Sequence, residues 1–389
     1  MPTHTYSRRA VLGGLLRAAA ATAVGGPALS SLAQSMFGPQ DQQRRGPMFY
    51  TQQFDRQFRV PAMSVGISKA GRFVYDHTGG MADPQHSIQA QQDSLFRIAD
   101  VSKPITAVTI FSLIEAGKLT LSAKVFGPGA ILGTNYGKPP YQQYVADITV
   151  DHLLTHTAGG WAADANDPML HNNGWDKAKL ISETIQNVPL TAQPGTQWIY
   201  SNFGYCILGR VIEQITGQPY AAYVQANILA PCGITNMQIA ANSERDRATN
   251  EVIYIGQYSE EPYKINVTRM DSTAGWIANS TQLVQFLNHV GGAPNIPALL
   301  KPETIATMTT PAPAYPAGDA RYARGWMVSG NGLGSWWHTG SLPGSTALMV
   351  RNPDGSCFAA ICNSRTQPHQ EMDTALYDMM WNLTQNVVR

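Results

Sequence analysis

The chain has 389 residues, 43% of them apolar and 14% charged, enough for one large core or two intimate domains. A formal net charge of +1 provides no concentrated basic surface, so nucleic acid and anionic membrane surfaces are set aside as partners.

Ser7-Arg8-Arg9 followed by a weakly apolar stretch over residues 10–23 reads as a twin-arginine export signal. Cleavage is expected near Ser31-Leu32-Ala33, giving a signal peptide over residues 1–33. The apolar run is short and interrupted by Arg17, which argues against stable membrane insertion. The mature protein is therefore expected in the periplasm or outside the cell. Residues 34–47, rich in Gln, Gly and Pro without an apolar period, read as a linker.

The folded part begins near Met48. Residues 60–68 and 71–78 read as two strands joined by Lys69-Ala70-Gly71. Residues 100–116 read as a helix with Val101, Ile105 and Val108 on one face, Pro104 in its first turn and Gly117 as its stop. Helical signals and long loops continue to Gly217, with Leu208, Val211, Ile212 and Ile215 at helical spacing in 201–216. Strand patterns return at 325–330, 335–338, 346–351 and 357–363, with an Asn352-Pro353-Asp354-Gly355 turn before the last and a closing helix at 371–388. Strands at both ends around a helical middle suggest an α/β (α+β) class. One antiparallel sheet is completed by both ends of the chain and flanked by helices, with an all-helical domain inserted. On this reading 48–98 and 268–389 form the sheet domain and 99–267 the helical domain.

Export permits disulfides, and Cys206, Cys232, Cys357 and Cys362 allow three complete pairings. Cys357 and Cys362 lie on one strand pattern, roughly 16 Å apart at about 3.3 Å per residue, beyond bridging reach. Free buried cysteines are the expectation.

Three short motifs carry the chemistry: Phe96-Arg97-Ile98-Ala99-Asp100-Val101-Ser102-Lys103, Tyr200-Ser201-Asn202 and His338-Thr339-Gly340-Ser341-Leu342-Pro343-Gly344. In order and spacing they resemble the S-x-x-K, Y-x-N and K/H-T-G set of the serine β-lactamase and penicillin-binding-protein superfamily. The closest likeness is to class C β-lactamases, D-alanyl-D-alanine carboxypeptidases and related carboxylesterases. Asp151-His152-Leu153-Leu154-Thr155-His156-Thr157-Ala158-Gly159-Gly160, Leu300-Lys301-Pro302-Glu303-Thr304 and the Pro353-Asp354-Gly355 turn agree with it.

The resemblance implies a β-lactamase/transpeptidase-like fold and a hydrolase site for a small-molecule substrate, without metal or other cofactor. A residue at position 100 and Lys103 one helical turn later share a face, so the ammonium biases the proton of the attacking group. Tyr200 is then the partner base and acid, and Asn202 holds substrate and Lys103. The backbone N–H groups of residue 100 and Ser341 form the oxyanion hole. His338 stands where other members carry lysine and meets a substrate carboxylate only when protonated. Thr339, Gly340 and Trp161 are expected to contact substrate.

The sequence departs from that pattern at its centre, where Asp100 replaces the nucleophilic serine. Ser102 does not substitute, because two residues along a helix turn its hydroxyl roughly 200° from the Lys103 face. A helix start, inward N–H donors and a lysine all favour an ionised Asp100. Its attack on an ester or amide gives a high-energy mixed anhydride, whereas an aspartate is an ordinary nucleophile toward a glycosidic carbon. Two readings stay open. One is a hydrolase using the Asp100 carboxylate on a carbohydrate, with Tyr200, Asp164 or Asp167 as proton donor. The other is a non-catalytic binder of cell-wall peptide or a related ligand, in which Asp100 only pairs with Lys103. His152 and His156 have a zinc-like spacing but no matching third ligand, and Trp161, Trp276, Trp336 and Trp337 read as core and pocket-wall packing.

Overall fold

The computed structural model describes residues 46–388 apart from residue 258. The export signal and nearly all of the linker lie outside the described residues.

Helix α1 (Pro47–Phe58) starts with proline at its first position, where no N–H is needed, and buries Tyr50, Phe54 and Phe58. Strands β1 (Ala62–Lys69) and β2 (Arg72–Asp83) form a hairpin. Its tip is Ala70 and Gly71, both at positive φ, as a two-residue turn that follows strand twist requires. Short strands β3 (Ile88–Gln89) and β4 (Phe96–Arg97) lead to the central helix α2 (Ser102–Glu115). Helices α3 (Val150–Leu154), α4 (Lys177–Asn187), α5 (Asn202–Thr216) and α6 (Tyr220–Val224) fill the middle, followed by β5 (Gln238–Ile239) and β6 (Trp276–Ala278). Helices α7 (Ser280–Val290) and α8 (Pro302–Thr309) precede strands β7 (Ala320–Tyr322), β8 (Met327–Ser329), β9 (Trp336–Leu342), β10 (Ser345–Arg351) and β11 (Ser356–Cys362). Helix α9 (His369–Val387) follows them.

The main sheet runs β3-β2-β1-β11-β10-β9-β8-β7. Its paired strands are antiparallel, and β1 joins β11 from Met63 opposite Cys362 to Lys69 opposite Ser356. The early and late strands thus build one sheet, as the sequence pattern suggested. Both faces are covered, which is why β11 reads as an unbroken apolar run rather than alternating. Phe358, Ala360 and Cys362 face the core with Leu376 and Met380 of α9 and Phe54 of α1. Cys357, Ala359 and Ile361 face the other core, with Leu283 and Leu287 of α7. Phe358 is fully buried, so truncation to alanine costs about 3–5 kcal/mol. All four cysteines are buried and unbridged.

Three local expectations differ from the structure. Position 100 belongs to a 3-10 turn (Ala99–Val101), and the α-helix starts at Ser102. Helix α2 is buried all round over its first ten residues, because sheet and helices enclose it, so its one-face pattern is incidental. A second sheet, β4-β6-β5, and the edge strand β7 went unpredicted, since two- and three-residue strands carry too little periodicity to read.

Candidate active site

The turn before α2 holds Asp100 against β9. Ala99 adopts φ +47°, a left-handed conformation costly for a residue with a Cβ, of order 1–2 kcal/mol. It projects Asp100 toward the strand carrying the His338 motif. A Cβ on Gly340 would stand 2.3 Å from Ile98 O and 3.0 Å from Asp100 N. Glycine is required there for the strand to reach the turn.

Around Asp100 the three motifs converge. Lys103 Nζ donates to Asp100 Oδ1 and to Asn202 Oδ1 at 2.7 Å. Tyr200 OH donates to the same Asp100 Oδ1 at 3.1 Å, and Ser341 N donates to Oδ2 at 3.3 Å. The Lys103 side chain is fully buried, whereas that of Asp100 remains 18% exposed, so the carboxylate is the face of the pair open to a ligand. Burial alone would raise the Asp100 carboxyl. The Lys103 ammonium, its hydrogen bond and the Ser341 N–H outweigh burial and hold the group below the ordinary carboxylate range. Burial lowers Lys103 in spite of the Asp100 charge, and the ammonium lies over the rings of Tyr200 at 4.8 Å and Tyr205 at 5.7 Å. Burial and the Asp100 carboxylate raise the Tyr200 hydroxyl well above its usual value.

His338 is buried, and burial followed by the Lys103 charge pushes its imidazole down to about 4. Its Nδ1 faces Thr339 O at 2.5 Å and its Nε2 faces Tyr322 OH at 3.2 Å. The pairing fixes the tautomer with the proton on Nδ1, and the ring is uncharged at neutral pH. Ser341 Oγ accepts from Arg365 Nη1 at 3.1 Å, and Arg365 pairs in turn with Glu260. Thr339 contributes its carbonyl to His338, and Gly340 contributes space.

Other candidates lie apart. Trp161 is buried with its ring edge-on to Phe203 and its Nε1 on Val188 O, so its place is in the core of the helical region, which is where its apolar bulk is best buried. Ser102 is buried and accepts from the backbone N of Trp276, pointing away from the Lys103 contacts. Trp276 and Trp337 are fully buried, and Trp336 lies under the Arg351 guanidinium. His152 accepts from Thr149 N in a capping box, while His156 Nδ1 accepts from Ser201 N, so the two rings serve separate ends. Among the described residues no group of three His, Cys, Asp or Glu side chains is placed to hold a metal. Asp164 is exposed, with its carboxylate on Asn166 N. Asp167, by contrast, is fully buried and accepts from Asn202 Nδ2 at 2.7 Å.

Sequence reasoning missed Tyr322 and the role of His156. Tyr322 sits on the unpredicted strand β7. The His156 ring packs at a tilt against those of Tyr200 and Tyr322, with centroids 4.1 and 4.6 Å away. Its position within the Asp151 to Gly160 stretch was a signal, but zinc spacing was the wrong property to read from it.

A beta-lactamase family model matches residues 50–378. The chain belongs to the beta-lactamase family. Esterase EstB of Burkholderia gladioli is 32% identical over 212 residues, 49% of this beta-lactamase-family chain and 51% of that protein. Penicillin-binding protein 4* of Bacillus subtilis is 32% identical over 190 residues, covering 45% of this chain and 37% of that one. The chain thus spans about half of the one relative's length and just over a third of the other's. A putative D-alanyl-D-alanine carboxypeptidase of Escherichia coli is 27% identical over 311 residues, 70% of this chain and 69% of that one. The fold is shared with a D-amino acid amidase from Ochrobactrum anthropi, at TM-score 0.69 and 20% identity over 87% of this chain and 99% of that one. The family is one of hydrolases, and this member carries aspartate at the head of its first motif.

Proposed function

We propose that this beta-lactamase-family protein is a hydrolase that acts through the Asp100 carboxylate on a glycosidic carbon, as a glycosidase or transglycosylase, and not by acyl transfer through serine. The observation that carries the reading is the unequal engagement of the two carboxylate oxygens. Oδ1 is clamped by Lys103 and Tyr200, whereas Oδ2 takes only the 3.3 Å contact from Ser341 N. A clamped, ionised carboxylate with one oxygen in reserve suits displacement at an acetal carbon. Oδ2 forms a bond to the anomeric carbon as the bond to the leaving oxygen breaks. Water then attacks that carbon and frees Asp100. Tyr200 is the nearest hydroxyl able to protonate the leaving oxygen, and its raised pKa makes it a weak acid, so substrates with acidic leaving groups are favoured.

The second reading, a non-catalytic binder of cell-wall peptide or a related ligand, is favoured by one specific contact. The Ser341 N–H that would stabilise an acyl oxyanion is already taken by Asp100 Oδ2. Export through the twin-arginine signal is part of the proposal and rests on Ser7-Arg8-Arg9.

Parallel incubation with a 2-fluoro glycosyl fluoride and with a penicillin, read by intact mass, tests the reading. A sugar adduct mapped to Asp100 supports it. A penicilloyl adduct overturns it, and no adduct together with no turnover of nitrophenyl glycosides moves the assignment to the binder.

A further inference from the structure

Asn202 stands between two charged side chains that the motif pattern does not join. Its Oδ1 accepts from Lys103 Nζ at 2.7 Å, and its Nδ2 donates to Asp167 Oδ2 at 2.7 Å. An ammonium only donates and a carboxylate only accepts, so each end of the amide meets a group of the opposite capability and the orientation admits no flip. The result is a line of polar contacts from Asp167 through Asn202 and Lys103 to Asp100.

Asp167 is itself held rigidly. It caps the 3-10 turn Pro168–Leu170, its Oδ1 accepting from Met169 N at 2.9 Å. The loop around it is pinned by the buried Arg269, whose guanidinium donates to the carbonyls of Met169, His171, Asn172 and Trp175. Ala163 N donates to Tyr200 O at 2.8 Å, which ties the same loop to the second motif. Four carbonyls on one buried guanidinium leave the loop little freedom to carry Asp167 away from Asn202.

We propose that Asp167 is a positioning residue of this site, which fixes the Asn202 amide and thereby keeps Lys103 an ammonium against Asp100. The charged and titratable groups facing it are Asp100 from the 3-10 turn Ala99–Val101, Lys103 from the first turn of α2, Tyr200 from the segment before α5, and Arg269 from the 3-10 turn Val267–Met270. Burial raises the Asp167 carboxyl to about 6, against the lowering influence of the Asn202 and Met169 hydrogen bonds and of Lys103. Within ordinary pH the line therefore changes charge at its inner end while Asp100 stays ionised.

The inference concerns the site of the proposed reaction, but its test reads proton positions, so an absence of turnover leaves it standing. The full chain is labelled with ε-13C lysine, and the Lys103 resonance is identified by its loss in Lys103→Arg. In Asp167→Asn the Lys103 titration moves to lower pH, because a carboxylate favouring the ammonium is gone; Asp167→Glu restores it toward the parent. With γ-13C aspartate labelling, Asn202→Ala moves the Asp167 midpoint upward from about 6, because the amide hydrogen bond to the ionised form is lost. An unchanged Lys103 titration in a folded Asp167→Asn protein overturns the proposal. So does an unchanged Asp167 midpoint in Asn202→Ala, which stands as the independent check should Asp167→Asn fail to fold.

Discussion

Asp100 Oδ2 accepts the backbone N–H of Ser341 at 3.3 Å across 241 residues of chain. On the proposed reading of the site, one carboxylate occupies both the position from which a serine would attack and the position that would receive an acyl oxygen. In Asp100→Ser the N–H is released and a hydroxyl stands beside Lys103 and Tyr200. That variant is expected to gain nitrophenyl ester hydrolysis and labelling by a fluorescent penicillin, neither of which is expected of the parent, because the backbone donor survives the substitution. Asp100→Ala and Asp100→Asn gain neither. A folded Asp100→Ser protein inert to both reagents would show that Lys103, Tyr200 and Ser341 do not form a competent acyl site.

Lys103 is fully buried and its ammonium has Asp100 and Asn202 as partners. Lys103→Met leaves the Asp100 carboxylate with Tyr200 and Ser341 alone, and loss of one partner of a buried pair costs about 3 kcal/mol. Asp100 is partly exposed, which relieves a portion of that cost. Urea unfolding at pH 7 is expected to show a lower midpoint with an unchanged slope. The Asp100 carboxyl then titrates at higher pH than in the parent.

Two groups give folding opposite pH dependences in one window. Asp167 titrates at about 6 in the folded protein against 3.8 in a free chain. Between those values the folded state binds more protons, so this group's contribution falls as pH rises. His338 titrates at about 4 against 6.5. There the unfolded state binds more protons, and the contribution rises with pH. Each amounts to about 3 kcal/mol over the window, and the two nearly cancel. Relative to the parent, Asp167→Asn is expected to make stability climb more steeply between pH 4 and 6, and His338→Gln to make it climb less steeply between pH 4 and 6.5, because the buried His156, also held well below its free value, adds a rise with pH to all three proteins. Thermal melts across that range check both signs.

Gly340→Ala places a methyl 2.3 Å from Ile98 O. Backbone must move, at about 1–3 kcal/mol, and the displaced strand carries Ser341 N away from Asp100. A lower melting temperature is expected together with a raised Asp100 midpoint, since a hydrogen bond to the ionised form is weakened. A raised midpoint without loss of stability would place the strain elsewhere.

Replacement of Arg8 and Arg9 by lysine is expected to retain the protein in the cytoplasm with residues 1–33 uncleaved, while the parent is exported in processed form. Unchanged extracytoplasmic antigen in the lysine variant would refute the twin-arginine route.

The family fold was legible because its signals are local. The apolar run of β11 needs only neighbouring residues to be read, as do the 3.6-residue period of α5 and the turn at Asn352 to Gly355. So do the three motifs, whose Asp100, Lys103, Tyr200, Asn202 and Ser341 the fold brings into contact. The ionised state of Asp100 was legible too, from the lysine and N–H donors beside it, whereas the charge states of Asp167 and His338 were not. Asp167 lies 35 residues from Asn202, and Tyr322 16 from His338, and no periodicity links either pair. Whether a carboxyl titrates near 4 or 6, or an imidazole near 6.5 or 4, depends on how much water the fold removes and which charge it sets alongside. Those quantities exist only once distant segments pack, so the sequence by itself determined the three motifs and their order, and tertiary burial decided what else joins them and which side chains carry charge.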